Sequence, residues 1–321
     1  MPTFSVIIPL YNKLAYIGRS VESVLVQSFK DFELIVIDDG STDGSSEELL
    51  DIKDERLHIL RKENQGVGKA RNTGMQHAEG QWIAFLDADD AWMPEHLSEL
   101  RRVTEAFPSA GLISTRCVES ATADLSVADK QKSVPSSIRS VDYFYEASKN
   151  IGFVNSTSTA INKDVFVKLG GFTSAVAGED LEYWARIALH YPVAVSDRVT
   201  CFYFRSTGGV MEKLSTNRMR EPKGLTRIRD LSASVAMLCD YFEKDPSLQR
   251  NPSIVAYINS RVENAVRGAL YRGNPKLAKS YFQFMQKPIN RKQRVYSLLL
   301  TLPCVVLQAA VMGYNWAKSL C

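Results

Sequence analysis

This 321-residue chain contains an apolar run that is followed directly by carboxylates, Trp82-Ile83-Ala84-Phe85-Leu86-Asp87-Ala88-Asp89-Asp90. The first five are apolar and predict a buried strand, and the carboxylates after them mark the point where that strand ends. Outward from this stretch, short β-branched runs alternate with helix-length amphipathic segments over residues 1–120. The alternation predicts an α/β fold with a parallel, doubly wound sheet that has helices on both faces.

The same periodicity predicts the individual elements. The strands are Phe4–Pro9, Phe32–Ile37, Leu57–Leu60 and Trp82–Leu86, and the helices are Tyr16–Val26, Ser45–Leu50, Gly68–His77 and Pro94–Ala106. An irregular loop over residues 120–140 precedes a helix over Val141–Asn150, a strand over Ser158–Ile161, a helix that starts near Glu179, and strands around Val193 and over Cys201–Phe204. From about Gly224 the pattern is helical and basic. We therefore predict an α/β domain over residues 1–205, a basic helical extension over 206–286, and a basic-flanked apolar helix over 287–321.

Three of the predicted strands end in polar or acidic clusters. These clusters are Pro9-Leu10-Tyr11-Asn12 after the first strand, Asp38-Asp39-Gly40-Ser41-Thr42-Asp43-Gly44 after the second, and Asp87-Ala88-Asp89-Asp90 after the fourth. Ligands of open α/β sheets bind in the crevice outside the carboxyl ends of the strands. The three clusters therefore predict one ligand site.

The pair Asp87 and Asp89 favours a metal site. Two neighbouring carboxylates repel each other unless a cation neutralises them, and Mg²⁺ or Mn²⁺ would do so with substrate phosphate as a further ligand. The alternative is an acidic turn that caps the next helix. The segment Asp38-Asp39 also allows two interpretations: a carboxylate that accepts a hydrogen bond from a nucleobase or a ribose, or an ordinary turn.

Two further segments could carry chemistry. Lys69 and Arg71 follow the loop glycine Gly66 and would reach a diphosphate at a helix amino terminus; alternatively they lie on a solvated helix face. Glu179 and Asp180 open a helix, where one carboxylate would act as general base for an incoming hydroxyl. Their alternative role is to stabilise the first helical turn.

Several classes of site are absent from the sequence. Neither G-x-G-x-x-G nor G-x-x-x-x-G-K-[ST] occurs, which argues against dinucleotide cofactors and P-loop chemistry. The four histidines show no H-x-x-x-H or H-E-x-x-H spacing, so no zinc site is expected. The amino terminus lacks the basic region of a secretory signal. The cysteines are odd in number and never spaced C-x-x-C, which predicts isolated thiols in a reducing cytoplasm. They are Cys117, Cys201, Cys239, Cys304 and Cys321.

In this order and spacing, the segments resemble the family 2 glycosyltransferases with the GT-A fold. The residues that carry the resemblance are Val6–Asn12, Val36–Asp43, Asn64–Gly66 with Ala70–Asn72, Leu86–Trp92, Gly170–Phe172 and Gly178–Asp180. The resemblance covers residues 4 to about 205, and we recognise no family-wide motif past about Ser206. It implies a GT-A catalytic domain, with a mixed, mostly parallel, Rossmann-like sheet that is flanked by helices, ahead of the C-terminal helical extension. It also implies that this domain transfers a sugar, with inversion, from a nucleotide-diphosphate sugar.

The resemblance also implies a role for each site residue. Asp180 is the catalytic base and Glu179 supports it. Asp89 is the main metal ligand, with Asp87 beside it, and the cofactor is Mg²⁺ or Mn²⁺. The residues that bind the nucleotide sugar are Pro9, Tyr11, Asn12, Asp39, Gly66, Lys69, Arg71 and Asp87.

The net charge of +3 is divided unevenly along the chain. Residues 1–210 carry 21 Lys and Arg against 29 Asp and Glu, whereas residues 211–321 carry 18 against 7. Lys287, Arg291, Lys292 and Arg294 precede an uncharged apolar stretch over residues 298–316, which is roughly long enough to cross a bilayer. That stretch allows shallow membrane attachment, a single span, or a helix packed on protein.

The basic half predicts a partner that is anionic. A nucleic acid is not expected, because no nucleic-acid module accompanies the charge. An anionic membrane surface, at the cytoplasmic face of the inner membrane, explains both the charge and the apolar end. A lipid-linked glycan acceptor would be presented there.

We therefore predict a metal-dependent inverting glycosyltransferase of cell-surface polysaccharide synthesis, with a UDP-sugar as default donor. One alternative is a sugar nucleotidyltransferase, which would need a glycine-rich, basic loop where Tyr11-Asn12-Lys13 stands. Another is a nucleotide-sugar-binding protein without catalysis. The oligomeric state stays open.

Overall fold

The computed structural model describes residues 1–120, 137–173, 178–205, 227–287 and 291–302. The chain divides into two compact units. The first unit comprises Met1–Tyr143 and Gly152–Asn217, and the second comprises Phe144–Ile151 and Arg218–Cys321. The first unit holds a β-sheet, whereas the described part of the second is helical.

One mixed sheet of nine strands forms the frame of the first unit. The strands are β1 (Phe4–Leu10), β2 (Phe32–Asp38), β3 (Leu57–Arg61), β4 (Trp82–Phe85), β5 (Ala91–Trp92), β6 (Leu112–Ser120), β7 (Ile138–Val141), β8 (Thr159–Asn162) and β9 (Val193–Phe204). Their order is β3-β2-β1-β4-β8-β6-β9-β5, and β7 also pairs with β9. The four strands predicted for the first 90 residues are confirmed as the parallel set β3-β2-β1-β4.

The mixed, mostly parallel character predicted for the sheet is confirmed as well. The longest ladders, β1 with β2 and β6 with β9, are parallel. Shorter antiparallel ladders join β8 to β4 and β6, and join β5 and β7 to β9. All seven residues of β1 are buried, as a strand between two parallel neighbours requires.

Helices of the first unit cover both faces of its sheet. The helices of the described residues are α1 (Leu14–Leu25), α2 (Val67–His77), α3 (His96–Ala106), α4 (Tyr143–Lys149), α5 (Lys163–Leu169), α6 (Glu179–Ala188), α7 (Ala233–Lys244), α8 (Pro252–Tyr271), α9 (Pro275–Phe282) and α10 (Arg291–Leu299). Apolar residues of α1 and α3 pack with Val6 and Ile8 of β1 in one buried cluster. The alternate residue Ile7 faces Gly74 of α2, on the other side of the sheet.

Three predicted elements differ from the observed ones. The helix predicted over Ser45–Leu50 is one 3₁₀ turn, Glu47–Leu49. The side chain of Asp43 accepts the backbone N–H of Ser45, a local bond that competes with helix formation. Strands predicted around Val193 and over Cys201–Phe204 are the single strand β9. Val141 belongs to β7 instead of the helix that follows it. Residues 121–136 of the predicted loop lie outside the described residues.

The prediction of isolated thiols is wrong for Cys117 and Cys201, which form a disulfide. The two residues lie directly opposite each other on the parallel strands β6 and β9, with their Cα atoms 4.7 Å apart. Because 84 residues separate them in sequence, only the strand pairing brings them together. Cys239 is a free thiol, and Cys304 and Cys321 lie outside the described residues.

The second unit confirms the helical character predicted for the C-terminal region. Its helices start at clear caps: the Asn251 side chain accepts the backbone N–H groups of Ser253 and Ile254, and Asn274 caps α9. Val262 and Val266 of α8 pack with α9 in a small apolar core. No helix within the described ranges is long and apolar enough to cross a membrane. Residues 303–316 of the predicted apolar stretch lie outside those ranges.

We expect Gly74→Ala to destabilise the first unit. A Cβ at Gly74 would lie 2.6 Å from Cγ2 of Ile7, so α2 or β1 would have to shift. Such overpacking costs about 1–3 kcal/mol of unfolding free energy. Urea unfolding of the variant measures this loss.

The matched control is Gly18→Ala in α1. A Cβ there meets nothing closer than Oε1 of Glu48 at 3.7 Å, and alanine favours a helix over glycine by up to about 1 kcal/mol. The packing described for α2 and β1 would be contradicted if both variants unfolded at the same urea concentration as the wild type.

Candidate active site

The loops after β1 and β2 are joined by hydrogen bonds at the carboxyl edge of the sheet. Asn12 adopts a left-handed backbone with φ of 51°, and its N–H donates to Oγ of Ser41 over 3.1 Å. Its side-chain oxygen accepts the N–H of Thr42 at 2.8 Å. Pro9 is buried at the end of β1, whereas Tyr11 is 46% exposed. The two loops therefore form one wall, with the Tyr11 ring open to solvent.

Asp39 lies buried behind this wall and holds the loop that precedes α2. Its carboxylate accepts the Lys62 ammonium at 2.6 Å and the N–H of Gly66 at 2.8 Å. Gly66 has a φ of 91°, which favours glycine. The neighbouring Asp38 accepts the N–H of Ser41 at 2.8 Å. The structure thus gives Asp38 the role of a turn former and leaves Asp39 as the carboxylate between the β2 loop and α2.

Arg71 joins the two acidic ends of the site. Its Nη2 donates to Oδ1 of Asp87 at 2.6 Å, and its Nη1 donates to Oε1 of Glu179 at 3.1 Å. The residue is only 3% exposed, and its guanidinium lies 5.2 Å from the ring centre of Phe172. Arg71 therefore contacts protein carboxylates, whereas Lys69, on the same helix, is exposed to solvent.

Two hydrogen bonds to the Asn72 side chain fix the segment that precedes α6. The Asn72 side chain donates to the carbonyl of Phe172 and accepts its N–H, both over 2.8 Å. A Cβ at Gly171 would lie 2.1 Å from that side chain, so the contact needs glycine. Phe172 also packs against Tyr183 and Trp184 of α6. These contacts set Glu179 and Asp180 next to Arg71 of α2.

Asp180 is half-buried at the start of α6. Burial, reinforced by the charge of Glu179, raises the pKa of Asp180 to about 6, although the Arg71 charge opposes the rise. A carboxylate with this pKa accepts a proton more readily than an ordinary aspartate and is still ionised near neutral pH. The electrostatics suit a general base.

Sequence reasoning missed the role of Asp90. This carboxylate is completely buried, accepts the N–H of Phe204 at 3.0 Å and accepts the hydroxyl of Thr157. Burial, reinforced by the charge of Asp87, raises the pKa of Asp90 well above its usual range. Asp90 therefore fastens the acidic loop to β9. Asp90 directly follows Asp87 and Asp89, the D-x-D pair, in the D-x-D loop over residues 87–90, and this position was visible in the sequence. Thr157 and Phe204 carried no signal of their contact with it.

Asp87 and Asp89 fit a divalent cation that brings further ligands. Both side chains are partly exposed, at 31% and 16%, and offer the oxygen atoms that Mg²⁺ and Mn²⁺ prefer. Within the described ranges, no group of three or more His, Cys, Asp or Glu side chains could hold an ion. Phosphate and water would have to complete the coordination, as is usual for Mg²⁺.

Residues 5–170 match the family model described as "Glycosyl transferase family 2". Among curated relatives, TuaG of Bacillus subtilis, whose name assigns it to teichuronic acid biosynthesis, is 44% identical over 101 residues, 30% of this chain and 40% of TuaG. The Escherichia coli UDP-Glc:alpha-D-GlcNAc-diphosphoundecaprenol beta-1,3-glucosyltransferase WfgD is 42% identical over 94 residues, 29% of this chain and 37% of WfgD.

These local matches span less than half the length of the curated relatives concerned. An uncharacterized glycosyltransferase of Haemophilus influenzae matches more widely, at 26% identity over 93% of this chain and 95% of its own length.

Two solved structures share the fold. S. aureus TarS in complex with UDP-GlcNAc superimposes with a TM-score of 0.54 at 19% identity, covering 87% of this chain and 88% of that one. The mannosyltransferase PcManGT from Pyrobaculum calidifontis, in complex with GDP-Man and Mn²⁺, gives 0.55 at 20% identity, over 97% and 85%. The sheet and helices described above are thus of the GT-A type, as expected from the sequence.

We expect Arg71→Met to destabilise the first unit strongly. The change leaves Asp87 and Glu179 without their shared cation, and removing one partner of a buried ion pair costs about 3–5 kcal/mol. Arg71→Lys should restore little, because an ammonium lacks the planar fork that contacts two carboxylates. Urea unfolding measures both variants.

Arg101→Met is the control, because it removes an exposed ion pair with Glu105. Such a pair contributes at most about 1 kcal/mol. Equal losses for Arg71→Met and Arg101→Met would refute the structural importance of the Arg71 ion pairs.

Proposed function

The chain belongs to glycosyl transferase family 2, and from this premise we propose that it is a metal-dependent inverting glycosyltransferase. It moves a sugar from a nucleotide-diphosphate sugar to a hydroxyl of a glycan acceptor. The observation that carries the proposal is the link through Arg71 between the D-x-D loop and a helix whose Asp180 has a pKa raised to about 6. Because Arg71 contacts both segments, the proposed metal ligands Asp87 and Asp89 would lie close to the proposed base, Asp180, at the carboxyl edge of the sheet.

Asp39 and the wall formed by the β1 and β2 loops bind the nucleoside. The Asp39 carboxylate accepts an N–H of the base, and Tyr11, exposed at the wall, covers the ring. Asp87 would bind the ribose, and Asp87 and Asp89 would hold Mg²⁺ or Mn²⁺. When bound, the ion would supply positive charge that stabilises the departing diphosphate. Lys69, exposed at the start of α2, approaches the same phosphates.

Asp180 takes the proton from the acceptor hydroxyl. Its raised pKa strengthens it as a base, and Glu179 is held by Arg71 so that it supports and orients the start of α6. The deprotonated oxygen attacks the anomeric carbon opposite the diphosphate. An in-line attack inverts the configuration of the sugar.

The donor is a UDP-sugar and the acceptor is lipid-linked. The name of WfgD specifies UDP-Glc and a diphosphoundecaprenol acceptor, and TarS binds UDP-GlcNAc in its crystal structure. Cell-surface polysaccharide synthesis would place the enzyme at the cytoplasmic face of the inner membrane.

An apolar stripe on α10 and the residues after it supports membrane attachment. Val295, Leu298, Leu299 and Leu302 follow a helical spacing and are 51%, 71%, 40% and 40% exposed. Arg291 and Arg294 are exposed beside them. Apolar side chains next to cations suit an interfacial helix on an anionic membrane.

Asp180→Asn should reduce turnover strongly and leave nucleotide binding intact. General-base catalysis contributes about 10²–10⁴-fold, so kcat/KM should fall by that factor. In the wild type, kcat/KM should rise with pH and level off above about 6, because Asp180 must lose its proton to act. Initial rates between pH 5 and pH 8 measure both effects.

Unfolding at pH 8 provides the folding control for Asp180→Asn. Burial raises the pKa of Asp180 to about 6, so the fold loses stability as pH rises from the ordinary carboxyl pKa to about 6, and at pH 8 the full cost of the ionised form is present. The neutral asparagine should therefore unfold no earlier than the wild type. Turnover at the wild-type rate would exclude Asp180 as the base.

Asp39→Ala should weaken nucleoside diphosphate binding by about tenfold or more, since a hydrogen bond to a charged group contributes about 1.5–3 kcal/mol. Isothermal titration with UDP, in the presence of Mn²⁺, measures the change. Binding of pyrophosphate with Mn²⁺ is the control and should stay the same, because the base is the only part of the nucleotide that Asp39 is proposed to contact. An unchanged dissociation constant for UDP removes Asp39 from the nucleoside pocket.

Leu298→Glu combined with Leu299→Glu should reduce flotation of the full chain with anionic liposomes. Two carboxylates in the stripe would weaken both its apolar contact with the lipid and its electrostatic attraction to the anionic headgroups. Val167→Glu is the control, because Val167 is 74% exposed on α5 of the first unit. If the double variant floats as well as the wild type, the stripe does not attach the enzyme to membranes.

A further inference from the structure

Lys13, at the residue before α1, forms an ion pair with a carboxylate of the D-x-D loop. Its ammonium lies 2.6 Å from Oδ2 of Asp89, and the two side chains are only 15% and 16% exposed. The Lys13 N–H donates to Oγ of Ser45 at 2.8 Å, which fixes the main chain from which the side chain extends. The ammonium also lies 5.7 Å from the ring centre of Tyr16. A cation is thus already present at the proposed metal ligand.

The two carboxylates of the D-x-D pair are neutralised in different ways. Asp87 contacts the buried guanidinium of Arg71, which is also fixed by Glu179. Asp89 contacts an ammonium at the end of a flexible four-carbon chain. A third cation, Arg19, donates to the main-chain carbonyl of Asp89 at 2.6 Å and stacks on Phe204. The Asp89 backbone is therefore held independently of Lys13.

We propose that Lys13 is a positioning residue that makes divalent-cation binding at Asp89 depend on the nucleoside diphosphate. This inference rests on the proposed function. A Mg²⁺ or Mn²⁺ ion on Asp89 would lie close to the ammonium that pairs with Oδ2 of this carboxylate, and the two cations would repel each other. Binding of the metal ion at Asp89 would therefore favour the departure of Lys13.

The departure of Lys13 is unfavourable unless the ammonium gains another anion. A metal ion without nucleotide provides no such anion, so its binding breaks the partly buried ion pair between Lys13 and Asp89 and replaces it with nothing. A metal ion bound to a diphosphate brings phosphate oxygens, with which the released ammonium can pair. Metal and nucleotide therefore bind together more tightly than either alone, and by thermodynamic linkage each strengthens the other.

Electron paramagnetic resonance of free Mn²⁺ tests this dependence without any turnover. Mn²⁺ is titrated into the full chain, with and without the nucleoside diphosphate that binds best among UDP, GDP and dTDP. Lys13→Met should bind Mn²⁺ alone at least about fivefold more tightly than the wild type. The nucleotide should raise the Mn²⁺ affinity of this variant less than it raises that of the wild type.

Two further variants exclude structural explanations. Lys13→Arg keeps the positive charge and should keep weak binding of Mn²⁺ alone. Lys30→Met removes an exposed lysine of the same unit and should match the wild type in both titrations. A misfolded Lys13→Met protein would lose Mn²⁺ affinity instead of gaining it, and this outcome would also count against the proposal.

The outcomes separate this inference from the proposed function. Equal Mn²⁺ affinity in the wild type and Lys13→Met, with the nucleotide raising both alike, overturns the role of Lys13 and leaves the metal site intact. Absence of Mn²⁺ binding in all the proteins, with nucleotide present, overturns the metal site and the role of Lys13 together.

Discussion

The buried guanidinium of Arg71 is the constraint on which the rest of the site depends. It contacts Asp87, 16 residues along the chain, and Glu179, 108 residues along. A planar fork with two donor edges can satisfy both carboxylates at once, and at 3% exposure there is little water to replace either bond. These two hydrogen bonds therefore tie the D-x-D loop to the start of α6 in the absence of any ligand. Preorganised charge of this kind is the main way in which enzymes stabilise a transition state.

The acidic loops of the site carry their own cations. Asp39 pairs with Lys62, Asp89 pairs with Lys13, and Asp87 shares Arg71 with Glu179. Each cation comes from a different loop or helix from its carboxylate, so the ion pairs also tie the loops together. Asp180 differs, because its pKa is raised and its ionised form is held at the expense of stability. In the proposed mechanism, that difference separates the carboxylates that would bind ligands from Asp180, which would take a proton.

The sequence was sufficient for the features that depend on local pattern. Continuous apolar runs located β1 and β4, and the D-x-D pair stood at a strand end as expected. Features that depend on contacts between residues far apart in sequence could not be predicted from it. Cys117 and Cys201 meet because β6 pairs with β9, and Thr157 reaches Asp90 from a segment 67 residues away. The burial of Arg71 could not be predicted from α2 alone, because its two carboxylate partners lie on other elements. Its role in binding the nucleotide sugar stays a prediction.

The most direct test of the account is a proton NMR time course of donor hydrolysis with Mn²⁺ present, using α-linked UDP-, GDP- and dTDP-sugars. Water replaces the acceptor, so no knowledge of the natural acceptor is needed. We expect that one donor is consumed, that the β-anomer of the free sugar appears first, and that Asp180→Asn strongly slows its formation. Prompt appearance of the α-anomer, or consumption of no donor in the panel, would contradict an inverting glycosyltransferase.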